Sequence, residues 1–247
     1  MKKILLITIF IFTSSFAYSQ FKADYYLAVG YNYNSNFGDP LDYIVDRYNE
    51  TRTSILSKQM NKASNFTGMS FSMGGYFSNI LFDIEYVYKY SSTMSAEAPS
   101  GGITQKRELK VFGKSLNLGF NYVLGKNNFY AMPGFSLDFN FMPVESRIYN
   151  VNNTEPPAYE VISESGGGSF SNSVFMISPN VHLDYLMNKN LCISFKPYYS
   201  FSIGELDYSQ LNQTLNPNTY QNDPASETSS KIGYFGAVLK FKFLFSN

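Results

Sequence analysis

Apolar and polar side chains alternate with a period of two in eight segments of the chain. In the last of these segments, Phe241, Phe243 and Phe245 fall on one face, and Lys240 and Lys242 fall on the other. Such alternation predicts β-strands with one apolar and one polar face. The predicted strands cover residues 22–33, 67–77, 80–91, 107–124, 129–142, 173–187, 191–204 and 231–245.

Long and short connections alternate between the predicted strands. Three are tight turns of the hairpin type, at residues 78–79, 125–128 and 188–190. The other four are long polar segments, at residues 35–66, 92–106, 143–172 and 205–230. Short turns at one end and long loops at the other predict an all-β fold, an eight-stranded antiparallel transmembrane β-barrel with short periplasmic turns and long extracellular loops.

The pairing across each tight turn tests whether the two faces stay separate. Pairing Phe77 with Ile80 places the polar-face Ser72 opposite Glu85. The corresponding pairs at the other two turns are Leu124 with Phe129 and Met187 with Leu191. A shift of one residue would mix the faces, so the pattern itself predicts the register.

Aromatic side chains are concentrated at both ends of the predicted lipid-facing surface. The group near the long loops is Tyr31, Tyr33, Tyr88, Tyr90 and Phe141, and the group near the short turns is Phe77, Tyr122, Phe129, Tyr185 and Phe243. These positions predict the two interfacial girdles of a membrane barrel. Aromatic residues also favour strands through packing alone, which is the alternative explanation for them.

Three prolines interrupt the predicted strands. Pro133, Pro179 and Pro197 all lie on the lipid face. Each removes a backbone donor from a sheet that has no free edge. We therefore expect a local β-bulge at each proline.

The first long loop carries the pattern of a short helix. Asp39 is placed as its N-cap and Pro40 as its first helical residue. One apolar stripe follows, formed by Leu41, Ile44, Val45 and Tyr48. Such a helix either covers the mouth of the barrel or contacts a partner, or it packs only on its own loop.

The first residues have the features of a cleavable secretory signal. Lys2 and Lys3 precede a predominantly apolar run over residues 4–12, and Ala17 and Ser19 lie at the −3 and −1 positions before Gln20. The apolar run is too short to span a bilayer as a helix, which takes about twenty residues. We expect a signal peptide over residues 1–19 and one barrel domain over residues 20–247.

The composition of the chain limits its possible partners and its mode of membrane attachment. The chain carries 19 basic and 19 acidic residues and no basic stripe, so nucleic acid is not an expected partner. The only cysteine, Cys192, lies far from the predicted export site, so neither a lipid anchor nor a disulfide within the chain is expected. A mean hydropathy of −0.19 together with 18% aromatic residues fits a chain that crosses a membrane with alternating strands.

The polar faces place charged side chains in the predicted lumen. The cationic members are Lys22, Lys196, Lys240 and Lys242, and the anionic members are Asp24, Asp83, Glu85, Asp138 and Asp184. Five tyrosines share the same faces: Tyr26, Tyr76, Tyr130, Tyr198 and Tyr234. An eight-stranded barrel has room for side chains only, so we expect these charges to pair and to plug the lumen rather than line a channel.

No catalytic, cofactor-binding or metal-binding residues stand out. His182, the single histidine, lies two residues from Asp184 and either forms an acid–base pair with it or joins a buried polar network opposite Lys196. One histidine and one cysteine do not make a metal-ligand set. The glycines at 166–168 follow no strand-to-helix turn that would bind phosphate. We predict no cofactor and no enzymatic activity.

A resemblance to a known family rests on three features: the export site Ala17-Tyr18-Ser19-Gln20, the eight alternating strands, and the final strand from Gly233 to Phe245. These features resemble the small outer-membrane β-barrel proteins of OmpA and OmpX type, also described as porin-family or PorT-like barrels. The final strand is similar to their C-terminal sorting signal, except that Ser246 and Asn247 follow the last aromatic residue. The resemblance implies a location in the outer membrane, contact with its lipid, and insertion by the barrel-assembly machinery.

Barrels of this size serve as anchors, adhesins, assembly partners and lipid-modifying enzymes, so the resemblance indicates architecture rather than function. The sequence predicts a non-enzymatic barrel that acts through its extracellular loops, as a structural or interaction component of the cell envelope with a protein partner. The alternatives are a lipid-modifying enzyme with its chemistry at the loop end of the lumen, and a small porin-like transport barrel. A soluble barrel that binds an apolar ligand would need the apolar faces to point inward.

Overall fold

Eight long strands form a closed antiparallel barrel. The structure, a computed structural model, describes residues 24–35, 39–152, 155–162 and 173–245, so the predicted signal peptide, Lys22 and the glycines at 166–168 lie outside the described residues. The strands are β1 (Tyr25–Ser35), β2 (Asn65–Phe77), β3 (Ile80–Ser91), β4 (Ile103–Tyr122), β5 (Phe129–Phe141), β6 (Ser173–Asn188), β7 (Leu191–Ser202) and β8 (Gly233–Phe245). Each strand pairs with the next, and β8 pairs with β1 to close the barrel. The predicted fold class is confirmed.

The predicted register is confirmed at the first tight turn. Phe77 pairs with Ile80, and Ser72 pairs with Glu85. Between β6 and β7 the strands also keep the predicted register, but at the turn Leu191 pairs with Asn188, and β6 is irregular between Leu186 and Asn188.

The predicted pairing of Leu124 with Phe129 is wrong. A short strand, Leu124–Lys126, continues β4, and in it Leu124 pairs with Ala131 and Lys126 with Phe129. The turn is therefore tighter than expected, and Asn127 adopts a positive φ of 60° to make it. The predicted register differs from the observed one by two residues. Because side chains of a strand alternate with a period of two, each side chain still points to its predicted face.

The expected bulges at the three prolines are also wrong. Asn121 pairs with Gly134 and Leu124 with Ala131, so the register is the same on both sides of Pro133. Between β6 and β7, the pairs Ile177–Phe201, Asn180–Tyr198 and Leu183–Phe195 likewise keep one register past Pro179 and Pro197. A proline removes only its own N–H donor, and the rungs above and below hold the alignment.

The barrel is apolar outside and polar inside. The outward side chains of β1 and β2, such as Tyr31 at 54% and Phe71 at 52%, are about half exposed, whereas Lys240 and Lys242 have no exposed surface. This distribution of side chains is the reverse of that in a water-soluble barrel and places apolar groups against lipid. A closed sheet also meets the second requirement of a bilayer, that every backbone N–H and C=O group forms its hydrogen bond within the protein. The strands therefore form a transmembrane β-barrel. None of the described helices is long and apolar enough to cross a membrane.

The long loops fold into additional structure at one end of the barrel. The first nine residues of β4, 103–111, extend beyond the barrel and pair with strands Met94–Ser100 and Val144–Asn150. The remaining elements at this end are α1 (Asp39–Thr51), α2 (Ser209–Leu215), α3 (Ala225–Thr228), a 3₁₀ turn (Tyr220–Asn222) and the short strands Glu160–Val161, Leu206–Asp207 and Ser229–Ser230. We call the described residues 39–64, 92–111, 142–152, 155–162 and 203–232 the cap.

The cap has its own hydrophobic core. Apolar side chains from all four long loops are buried together, among them Leu41 and Ile44 of α1, Leu109 of β4, Met142 and Leu211 of α2. The predicted helix is present and begins at Asp39, one residue before the predicted first helical residue Pro40, and its apolar stripe contributes to this shared core. Of the alternatives for α1, the structure therefore supports a helix that covers the mouth of the barrel.

Candidate functional site

The lumen contains a network of buried ion pairs. The Glu85 carboxylate on β3 lies between two lysines, with 2.8 Å from Oε2 to Lys196 Nζ and 2.8 Å from Oε1 to Lys240 Nζ. Nearer the short turns, Lys242 Nζ donates to Asp184 Oδ2 at 2.7 Å. All five side chains are at most 3% exposed. The prediction that charged side chains pair in the lumen is confirmed for these five residues.

A fourth lysine, Lys89, lies just below the cap. The alternation in β3 places it on the polar face with Asp83 and Glu85, although the predicted set of luminal cations did not include it. Its ammonium donates to the Tyr234 hydroxyl at 3.2 Å and to Asn34 Oδ1 at 3.4 Å. It also lies 4.7 Å from the centroid of the Tyr234 ring. Lys89 forms no ion pair with the residues that the structure describes.

Two of the three remaining predicted luminal carboxylates are bound by hydroxyl groups, and the third, Asp24, is partly buried directly before β1. Asp83 accepts a hydrogen bond from Tyr26 at 3.1 Å, and Asp138 accepts one from Ser178. Asp83 fits only because Gly119 faces it, since a Cβ at that position would lie 1.9 Å from Asp83 Oδ1. The Asp83 side chain is therefore packed against the backbone of the adjacent strand β4.

Little free space remains around Glu85. The cavity bounded by Glu85, Asp138, Lys196 and Tyr198 has a volume of about 10 Å³. This volume is about what one water molecule requires.

His182 and Asp184 bind the same ammonium group rather than each other. His182 Nδ1 lies 3.5 Å from Lys242 Nζ, and Asp184 Oδ2 accepts from the same nitrogen. His182 has no exposed surface and lies in the half of β6 nearer the short turns, opposite Met132. Of the two interpretations made from the sequence, the buried polar network describes its surroundings.

Among the described residues, no group of three or more His, Cys, Asp or Glu side chains is placed to hold a metal ion. Cys192 is a free, buried cysteine on the inner face of β7, where it packs in the cluster that contains Tyr26 and Leu81. It therefore takes the place of a small apolar side chain.

The carboxylate of Glu108 links two loops of the cap through hydrogen bonds and ion pairs. It receives hydrogen bonds or ion pairs from Lys106 at 2.8 Å, Arg147 at 2.7 Å, Tyr149 at 3.0 Å and Tyr159 at 2.8 Å. Burial raises the pKa of Glu108, but these donors outweigh it and hold the pKa at about 2. No local signal in the sequence marks this cluster, because Tyr159 lies 51 residues from Glu108 along the chain.

We expect Glu108→Gln to loosen the cap while the barrel stays intact, because Arg147 and two tyrosines lose an ionised acceptor. Limited proteolysis at neutral pH should cut the variant cap faster than the wild-type cap, and heat-modified gel mobility should show an unchanged barrel. Because the folded pKa is depressed, the contribution of Glu108 is present above its ordinary value of 4.5 and is lost as the pH falls towards 2. Glu160→Gln, an exposed change on a neighbouring strand, is the control, and equal cleavage of both variants would contradict the role of Glu108.

The outer surface of the cap carries two cavities on either side of one apolar side chain. One, of about 180 Å³, is lined by Tyr48, Arg52 and Arg107 among others, and the other, of about 520 Å³, is lined by Arg147, Val161 and Thr214 among others. Ile148 lines both cavities and is 48% exposed. The loops thus present concave surface with an apolar centre to the solvent.

No protein-family model matches the chain, and no curated protein sequence matches it. Among solved structures, the outer membrane protein OprG from Pseudomonas aeruginosa is similar at 8% identity and a TM-score of 0.42, over 91% of this chain and 97% of that chain. Neisserial surface protein A is similar at 12% identity and a TM-score of 0.43, over 90% and 96%. The attachment invasion locus protein Ail of Yersinia pestis, solved with the heparin analogue sucrose octasulfate, is similar at 8% identity and a TM-score of 0.38, over 91% and 99%.

These neighbours are small outer-membrane barrels, the architecture that the sequence predicted. The closed eight-stranded sheet with its apolar exterior and charged interior defines the class on its own evidence: this chain is a small transmembrane β-barrel of the outer-membrane type.

Proposed function

We propose that the chain is a non-enzymatic envelope protein whose barrel is a plugged membrane anchor and whose cap is an interaction surface for another envelope component. In this proposal a signal peptide over residues 1–19 directs export, the assembly machinery inserts the barrel, and the cap faces the cell exterior. The observation that carries the proposal is the folded cap, because a barrel that served only as an anchor would not need a second hydrophobic core above its mouth.

The packing of the charges supports a plugged lumen. Paired lysines and carboxylates fill the section around Glu85, and Lys89 with Tyr234 fills the section beneath the cap. An eight-stranded barrel is only wide enough for such side chains, which leaves no continuous path for water or solutes.

The interaction role follows from the surface of the cap. Three exposed apolar side chains line its two cavities, namely Ile55, Ile148 and Val161. Grouped apolar side chains beside concave surface are a feature of binding sites. Ile148 lies between the two cavities, so we place the centre of the interaction surface there.

The test compares two isoleucines of the cap. Ile148→Arg places a charge between both cavities, whereas the control Ile103→Arg changes a side chain that is 40% exposed at the start of β4. We expect proteins that co-purify with the tagged wild type from detergent-solubilised outer membranes to be lost with Ile148→Arg and retained with Ile103→Arg, at equal membrane levels. An identical set of co-purifying proteins with both variants, or none with the wild type, would contradict the proposed role.

A further inference from the structure

The four arginines of the chain all lie in the cap, and they are of two kinds. Arg47 and Arg147 each pair with a carboxylate of the cap, at 2.9 Å and 2.7 Å. Arg52 and Arg107 form no ion pair with any residue that the structure describes. Both are half-buried, and a guanidinium group keeps its charge at neutral pH. They are therefore two unneutralised cations that are only partly solvated.

Arg52 and Arg107 meet at the ring of Tyr48 on α1. The guanidinium carbon of Arg52 lies 4.1 Å from the ring centroid, and that of Arg107 lies 5.6 Å from it. Arg52 donates to the Leu215 carbonyl at 2.6 Å and to Asn216 Oδ1 at 3.2 Å, which fixes its orientation. No hydrogen bond joins the Arg107 guanidinium to a residue in the described part of the chain. Its five N–H donors are therefore available to a ligand.

Both guanidinium groups line the cavity of about 180 Å³ on the outer surface of the cap. One wall of this cavity is a face of the cap sheet, where Arg107 lies between Ala96 and Ile148 on the two neighbouring strands. Another wall is the segment after α1, which contributes Ile55 and Leu56. Because drug-sized ligands occupy about 300–1,000 Å³, a cavity of this size fits a group of a few heavy atoms.

One carboxylate of the chain lines the same cavity but does not neutralise the arginines. Glu97 follows Ala96, the cross-strand partner of Arg107, so its side chain leaves the sheet on the opposite face. Its carboxylate pairs with Lys58 at 3.8 Å. The positive charge of Arg107 therefore has no counterpart on its own face of the sheet among the described residues.

The electrostatics of the cavity favour an anion. Burial lowers the pKa of Arg107, the side chain of Tyr48 opposes this shift, and the charge of Arg52 lowers the pKa further. An anion that contacts both guanidinium groups would offset their mutual repulsion and replace the water that each has lost. Guanidinium groups bind carboxylates through two parallel, charge-assisted hydrogen bonds. The apolar side chains of Ile55 and Leu56 favour a ligand with an apolar stem over a fully hydrated ion such as sulfate.

We propose that this cavity binds a carboxylate group on a short apolar stem, with Arg52 and Arg107 holding the carboxylate and Ile55 and Leu56 contacting the stem. Such a group occurs in a free short-chain acid and in an acidic side chain of a partner protein. The proposal deepens the interaction role of the cap and rests on it for the position of the cavity at the cell exterior.

The test observes the arginines directly in the barrel, labelled with nitrogen-15 arginine and held in phosphatidylcholine nanodiscs. We expect butyrate to shift the Nε–H signals of Arg52 and Arg107 along one saturable curve and to leave those of Arg47 and Arg147 in place. Butyrate should bind at least about fourfold more tightly than acetate, because its longer stem buries at least one more methylene group. Butyramide, which is neutral, should shift neither signal.

A capped tripeptide with a central glutamate distinguishes the two sources of the ligand. Shifts of the same two signals with butyrate and with the peptide would show that the cavity admits an acidic side chain of a protein. Shifts with butyrate alone would assign the cavity to free acids. Both results support the carboxylate site, and neither depends on a partner protein, so the co-purification test with Ile148→Arg can fail without affecting them.

Two glutamine variants test the role of the arginines. Arg107→Gln should weaken butyrate binding, measured at the Arg52 signal, by about tenfold. It should not lower the unfolding temperature, because it removes a half-buried cation that has no partner. Arg47→Gln removes the same charge from α1 and should leave butyrate binding unchanged. The proposal is overturned if butyrate moves all four signals alike or none, if butyramide or sulfate shifts Arg52 and Arg107 as strongly as butyrate does, or if both variants weaken binding equally.

Discussion

Glu85→Ala will lower the unfolding temperature of the detergent-solubilised barrel by on the order of 10 °C. The change removes one carboxylate and leaves Lys196 and Lys240, which are 3% and 0% exposed, side by side without a carboxylate to pair with. Breaking a buried pair by removing one partner costs about 3–5 kcal/mol, because the remaining charge is neither solvated nor neutralised. The temperature shift corresponds to that range for a protein of this size.

Two further variants make the Glu85 result specific. Glu160→Ala removes an exposed carboxylate from the cap and should leave the unfolding temperature unchanged. Glu85→Ala/Lys240→Ala should recover part of the loss, since only one lysine then remains unpaired. Unfolding of Glu85→Ala at the wild-type temperature would contradict the ion-pair network, and a stable porin-sized conductance from the wild type in planar bilayers would contradict the plugged lumen.

The strands and the luminal charges could be predicted because both depend on local alternation. In β8, Lys240 and Lys242 differ from Phe241 and Phe243 by one position, and a closed sheet turns that difference into opposite environments. Which luminal charges pair with each other could not be predicted from the alternation. Glu85 and Lys196 are 111 residues apart, and only the closed barrel brings them within 2.8 Å.

The folded cap was not predictable from the pattern because its apolar residues are spaced irregularly within polar loops. Leu41, Met94, Val144 and Leu211 belong to four different connections and meet only in three dimensions. Only α1 had a periodic stripe, and it was the one cap element that the sequence located. The predictions at the three prolines and at Leu124 were wrong for a local reason. The alternation of apolar and polar residues carries no information on turn geometry or on the effect of one missing backbone N–H donor.

Tyr234 connects the lumen with the cap. Its ring is buried in the hydrophobic core of the cap, and its hydroxyl accepts the hydrogen bond from Lys89 in the lumen. It also packs edge-on against Tyr198, with 6.5 Å between the ring centroids. The cap therefore rests directly on the charged interior of the barrel, so a change in the upper lumen is expected to reach the loops.

Phe71→Arg is expected to reduce insertion of the barrel far more than Ile55→Arg, although the two side chains are equally exposed, at 52% and 55%. Phe71 lies at mid-height on the outward face of β2, between Val29 and Tyr86 on the neighbouring strands, where an arginine facing lipid costs about 2–4 kcal/mol. Ile55 lies on the cap, where an arginine meets solvent. The measurement is the amount of heat-modifiable, carbonate-resistant protein in the outer-membrane fraction for each variant against the wild type. Equal recovery of both variants would mean that the outward face of β2 is not in contact with lipid, and it would remove the physical basis for treating the eight strands as membrane-spanning.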